Sequence, residues 1–122
     1  MPKVGVAGCG RMGLPMIKAL RNAGFDAQGF DVRPLAEFGD FQTFMALNPT
    51  VFAKDLTILF TVVRDQQQTD DVLFDDQNLI AKADKLTHIV ISSTLSPKYV
   101  RELRDRIPQY IHLIDAPMAG AA

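Results

Sequence analysis

The first 31 residues constrain the fold more than any other stretch of this chain. An apolar run (Val4, Val6, Ala7) enters Gly8-Cys9-Gly10-Arg11-Met12-Gly13, then comes a helical pattern, then a second apolar run ending at Asp31. A G-x-G-x-x-G string alone is weak evidence. Here it lies between an expected strand and an expected helix, and an acidic side chain follows Gly13 by 18 residues. Those are the parts of a βαβ unit that holds a dinucleotide.

Each glycine in the turn has its own physical task. Gly8 allows the sharp exit from the first strand, Gly10 lets backbone approach a pyrophosphate, and Gly13 lets the helix pack closely on the strands. Free N–H groups of the first helical turn, aided by the helix dipole, would then face the anion. Gly8, Gly10, Arg11, Met12 and Gly13 are therefore the expected cofactor-binding positions of this turn. The helix is expected from Arg11 to Ala23, with Met12, Met16, Ala19, Leu20 and Ala23 on its buried face and Lys18, Arg21 and Asn22 outward. Gly24 supplies the stop, and Pro15 falls in the first turn, where amide hydrogens lack internal acceptors.

Asp31 closes the second strand, expected over Phe25 to Phe30. A carboxylate there accepts hydrogen bonds from ribose hydroxyls and repels a 2′-phosphate, which favours NAD. Arg33, two residues on, keeps NADP open, because a guanidinium could take the extra phosphate or stack on adenine. The bland reading is that Asp31 only caps the next segment and Arg33 is solvated.

A length of 122 residues suits one domain with a real core, and 48% hydrophobic with 22% charged residues is ordinary for a globular protein. A net charge of −1 gives no footprint for nucleic acid or an anionic membrane. No apolar run approaches the ~20 residues that span a bilayer, and the immediate first strand leaves no room for a leader. One cysteine excludes an internal disulfide framework. The expected location is cytoplasmic.

Beyond Asp31 no repeat or low-complexity tract appears. Pro34 to Phe44 reads as a brief helical turn, followed by a weak third strand near Phe41 to Ala46. Asn48-Pro49-Thr50 turns into a short helix reaching Lys54. Leu56 to Val63 is a run of eight mostly β-branched or aromatic residues, expected as a central strand buried on both faces. A helix over Asp65 to Phe74, a break at Asp75-Asp76 and a helical piece at Leu79 to Ala83 follow. His88 to Ser92 is a strand, Ser96-Pro97 opens a helix to Arg106, and Tyr110 to Ile114 is the last strand. Alternating strands and helices predict an α/β chain: a Rossmann-type, doubly wound parallel sheet in three layers. Ligands of such sheets bind beyond the carboxyl ends of the strands. That singles out the loops Gly8–Gly13, Asp31–Arg33, Val62–Asp65 and Ser92–Ser96.

Other chemistries are weaker. Cys9 lies at a helix N-terminus, an environment that lowers thiol pKa, yet the middle of a G-x-G usually carries a small packing side chain. Ser92, Ser93 and Ser96 lack the G-x-S-x-G of a nucleophile elbow, so turn formation, capping and ribose contacts explain them better. His88 and His112 are lone residues with no clustered partners and read as structural. Asp70, Asp71, Asp75 and Asp76 lack calcium-loop spacing and read as a solvated face. No metal site is expected.

Three ordered motifs converge on one family. VGVAGCGRMGLPMIKALRNAGF resembles G-x-G-x-M-G-x-P-M-x-x-x-L-x-x-x-G, Ser93-Thr94-Leu95-Ser96-Pro97 resembles S-T-[IL]-S-P, and Ile114-Asp115-Ala116-Pro117-Met118-Ala119-Gly120 resembles L-D-A-P-V-S-G. The chain is similar to the β-hydroxyacid dehydrogenases, the family of 3-hydroxyisobutyrate dehydrogenase, tartronate semialdehyde reductase and 6-phosphogluconate dehydrogenase. The resemblance implies oxidation of a 3-hydroxy acid, or reduction of the matching semialdehyde, with hydride exchanged at a nicotinamide. It places Val62 and Val63 against the adenosine half of the cofactor and Thr94 beside the nicotinamide ribose. It assigns Ser93, Ala119 and Gly120 to a small hydroxy-acid or semialdehyde substrate. The family's substrate-loop serine is Ala119 here, so a hydroxyl donor is lost and backbone N–H groups remain. The resemblance also puts the catalytic lysine on a helix beyond Ala122, in a helical domain that usually carries the homo-oligomer contacts. None of the lysines present matches it. An imine reductase of the same superfamily is the alternative enzyme, and a non-catalytic nucleotide-sensing domain is the alternative from another class.

Overall fold

A computed structural model describes residues 2–117. The elements run β1 (Lys3–Ala7), α1 (Gly13–Asn22), β2 (Asp26–Phe30), a 3₁₀ segment (Leu35–Phe44), α2 (Pro49–Ala53), β3 (Leu56–Thr61), α3 (Gln66–Leu73), α4 (Leu79–Lys82), β4 (His88–Ile91), α5 (Pro97–Arg106) and β5 (His112–Asp115). All four strand pairings are parallel, in the order β2-β1-β3-β4-β5. The chain winds outward from β1 to β2, then returns past β1 to build β3, β4 and β5. This is the expected doubly wound Rossmann sheet, and its switch point lies between β1 and β3.

Side-chain alternation along the strands builds the layers. On one face, Val6 of β1 and Gly29 of β2 meet Ile17 of α1, with Cys9, Phe38 and Met45 completing a buried cluster. On the other, Ala7, Phe30, Leu59, Ile89 and Ile91 pack against Phe52 of α2, Leu73 of α3, Leu79 of α4 and Leu103 of α5. Three helix starts are capped as their sequences suggest. Asn48 Oδ1 accepts from Val51 N at 2.9 Å, Asp65 Oδ1 from Gln68 N at 2.9 Å, and Ser96 Oγ from Tyr99 N at 3.1 Å.

Four expectations need correction. No third strand forms near Phe41 to Ala46. Residues Leu35–Phe44 wind instead into 3₁₀ turns broken at Gly39, whose φ is 51°, and only Met45 bridges to Gly29. Phe41 and Phe44 lie three apart, so a strand would point them to opposite faces, whereas a 3₁₀ turn lets both pack on the cluster beneath α1, with Phe38 from before the break. The buried face of α1 is also rotated from the one expected. Gly13 and Ile17 are buried, Leu14, Met16 and Leu20 partly so, whereas Ala19 and Ala23 are exposed. Strand β3 is not buried on both faces. Leu56, Leu59 and Thr61 are buried, but Ile58 and Phe60 are half-covered, because the helices after β3 all pack on the opposite face. Strand β5 starts two residues later than expected, and Tyr110 is exposed in the turn before it.

Candidate functional site

The strand ends at the switch point carry the site. After β1 the backbone turns at Gly8, whose φ of 96° disfavours any other residue, and whose N–H donates to Phe30 O at 3.0 Å. The turn therefore hangs from the end of β2. Helix α1 starts at Gly13 with no side-chain cap and no acidic residue in its first turn. Among the described residues the amides of Gly10, Arg11, Met12 and Gly13 have no acceptor. A Cβ at Gly13 would collide with Gly8 O, whereas one at Gly10 would meet nothing within 4 Å. Helix and turn are thus pressed together behind, while the front is open. Four unspent N–H donors at a helix start make a cradle for an anion.

Asp31 stands beside that cradle. Its Oδ2 accepts from Cys9 N at 2.7 Å, and its Oδ1 accepts from Arg33 N at 3.0 Å and Arg33 Nε at 3.1 Å. Burial works against the charged carboxylate, but hydrogen bonds from the Arg33 side chain and from the Arg33 and Cys9 backbones outweigh it. The carboxyl is held below its ordinary range. Asp31 is anionic at neutral pH and can accept hydroxyl hydrogens.

A cleft of about 1120 Å³ runs across these strand ends and brings most of the expected positions together. Gly8, Gly10, Arg11 and Met12 line it from the first loop, Asp31 and Arg33 from the second, Val62 and Val63 from the third, Ser93 and Thr94 from the fourth. Gly13 sits behind the turn. The third and fourth loops are tied by the Ser93 hydroxyl, which donates to Val63 O. Ala119 and Gly120 lie outside the described residues. The volume slightly exceeds the usual range of small-molecule sites, about 300–1,000 Å³, and leaves room for an extended ligand.

Sequence reasoning missed one wall. Gln68 and Asp71 of α3, with Asp76 and Gln77 after it, also line the cleft. Asp71 and Asp76 are thus not merely a solvated face. Asp70 is not one either: it accepts from Tyr99 Oη at 2.6 Å and Arg106 Nη1 at 3.0 Å, joining α3 to α5. A signal was available for Gln68. It follows the cap Asp65 by three residues, and its Oε1 reaches back to Arg64 N at 2.7 Å, a variant of the reciprocal capping box. The histidines are also not isolated. His88 and His112 are cross-strand neighbours whose rings stack at 4.8 Å. No group of three or more metal-binding side chains occurs among the described residues, and no helix among them is long and apolar enough to cross a membrane.

Cys9 is fully buried, and its thiol is pushed up to about 12, by burial first and by the Asp31 charge second. The acidifying helix terminus anticipated from sequence is overruled, because the side chain points into the cluster beneath α1 rather than along the amides. With such a thiolate deficit, Cys9 of the folded protein is expected to react with a thiol reagent at pH 8 at least a hundredfold more slowly than in denaturant. Equal rates, measured by absorbance of the released chromophore, would contradict this placement.

Comparison with known proteins agrees with the geometry. The family described as "NAD binding domain of 6-phosphogluconate dehydrogenase" matches residues 3–122. An L-threonate dehydrogenase of Cupriavidus necator is 30% identical over 122 residues, covering 98% of this chain and 41% of that protein. The crystal structure of 3-hydroxyisobutyrate dehydrogenase from Salmonella typhimurium superposes with a TM-score of 0.81 at 25% identity, covering 98% of this chain and 42% of that one. An imine reductase from Myxococcus stipitatus in complex with NAD+ shares the fold, with a TM-score of 0.77 at 22% identity, covering 93% of this chain and 39% of that one. The chain therefore spans about two fifths of the relatives it matches. With an open helix start, a charged Asp31 and a continuous match from residue 3 onward, the chain belongs to the family of NAD-binding domains of 6-phosphogluconate dehydrogenase type.

Proposed function

We propose that the cleft holds the dinucleotide of an NAD-dependent dehydrogenase acting on a small 3-hydroxy acid or its semialdehyde. The observation that carries this reading is the set of four amides at Gly10 to Gly13 without an acceptor among the described residues, beside an ionised Asp31. The amides would bind the pyrophosphate, and the open side of Gly10 leaves room for it. Asp31 would orient the adenosine ribose. Val62 and Val63 would flank the adenosine half, and Thr94 would stand beside the nicotinamide ribose. The bound cofactor would accept hydride from the hydroxy acid or donate it to the semialdehyde. Ser93 and the Ala119-Gly120 amides would meet the substrate carboxylate, with Ala119 contributing no hydroxyl.

The likeness to L-threonate and 3-hydroxyisobutyrate dehydrogenases supports this substrate class. On the same reading, the proton transfer belongs to a lysine in a helical domain after Ala122, which also brings subunits together, and the enzyme works in the cytoplasm.

The test is a fluorescence titration of the protein with NADH and NADPH. NADH should bind saturably and more tightly than NADPH. Asp31→Ala should weaken NADH about tenfold or more, since hydrogen bonds to a charged acceptor contribute about 1.5–3 kcal/mol, and should erase the preference. An unchanged preference would remove Asp31 from the proposed role.

A further inference from the structure

The carboxylate assigned to the ribose is already full. An ionised carboxylate offers about four acceptor directions. Those of Asp31 receive Cys9 N at 2.7 Å, Arg33 N at 3.0 Å, Arg33 Nε at 3.1 Å and Arg33 Nη2 at 3.4 Å. Two donors are backbone amides fixed by the turn. The other two belong to one guanidinium, and they stand where two ribose hydroxyls would have to bind. Arg33 is further pinned by Nη2 to Cys9 O at 2.8 Å, and its guanidinium lies 4.8 Å from the Phe38 ring centre.

From this we infer that Arg33 is a latch on the ribose site, folded onto Asp31 and the Gly8–Gly10 turn in the empty protein and displaced when a dinucleotide binds. The inference rests on the proposed cofactor reading and adds a specificity-determining residue to it. The latch penalises NADH, which needs both Asp31 positions and offers the displaced guanidinium no strong partner. It penalises NADPH less, because a 2′-phosphate would receive that guanidinium. The Arg33 side chain is 46% exposed and that of Asp31 11%, so the pair is half-buried, and Arg33 can swing out into solvent without rearrangement of the core.

The test compares four chains by NADH and NADPH fluorescence titration: wild type, Arg33→Ala, Asp31→Ala and the double variant. Arg33→Gln serves as a second side-chain probe, and thermal melts check folding. Arg33→Ala is expected to tighten NADH about threefold to fivefold and to leave NADPH unchanged or weaker. The gain should vanish in the Asp31→Ala background, since the latch acts through that carboxylate. If wild type binds NADH while both Arg33 variants bind it equally or more weakly, the latch is wrong and the cofactor site stands. A gain that persists without Asp31 also overturns it. If no folded chain binds either nucleotide, the cofactor reading itself fails and takes the latch with it.

Discussion

Gly13→Ala is expected to destabilise the protein by about 2–3 kcal/mol and to abolish saturable NADH binding. Intrinsic propensity argues for the opposite sign, since alanine is better than glycine inside a helix by about 0.8–1 kcal/mol. Geometry decides against propensity here. The added Cβ would run into Gly8 O, would lie 3.0 Å from Gly8 C and would touch Val6 Cγ1 at 3.5 Å. The first two obstacles are backbone, so no rotamer change relieves them. Either α1 lifts from β1, or the Gly8 turn gives up its bond to Phe30 O. Both movements displace the amides of Gly10 to Gly13 relative to Asp31. Gly10→Ala is the control: its Cβ meets nothing within 4 Å, so the melting temperature should hold while NADH affinity falls. If Gly13→Ala proved as stable as the parent, close helix–strand contact would not be what this glycine provides.

The parts of this architecture legible in the sequence are those where one residue type solves one local problem. Asn48-Pro49, Asp65 and Ser96-Pro97 announced their helix starts, and the glycines of the first turn announced both the turn and the cradle. Four loops were singled out because parallel sheets bind at their carboxyl ends, and the cleft is lined from all four. What failed depended on tertiary partners. Composition points to a strand at Phe41 and Phe44, although their spacing of three is the stronger signal. Which stripe of α1 is buried depends on how close Gly13 brings the helix, and no helical wheel contains that distance. The apolar run of β3 overstates its burial, because the handedness that sends α3, α4 and α5 to one face leaves Ile58 and Phe60 half-covered. The α3 wall is not legible because aspartates in a row look like solvated surface until the fold brings them to the cleft. The family motifs covered the cofactor turn well, but they said nothing of Arg33 filling the Asp31 carboxylate.

Phe52→Ala is expected to cost about 3–5 kcal/mol, lowering the melting temperature by roughly 10–20 °C. Phe52 is fully buried on α2, with its ring centre 5.8 Å from that of Phe30 at a tilt of 36°. The ring lies over Gly5 in the middle of β1. A Cβ on Gly5 would come within 2.6 Å of Phe52 Cζ and 2.6 Å of Leu56 Cδ1. One strand position thus lacks a side chain because a ring from the helix layer occupies its place. Truncating Phe52 opens a void that the sheet cannot close, and it removes support from Phe30, the residue that leads into Asp31. The same geometry predicts non-additivity. Gly5→Ala alone should destabilise by overpacking. Combined with Phe52→Ala, most of that penalty should disappear, because the methyl enters the space the ring vacated and only the Leu56 Cδ1 methyl must shift. A double-mutant cycle from denaturant melts should therefore give a coupling of about 1 kcal/mol or more. Additive losses would mean that the ring and the bare strand position do not share one space.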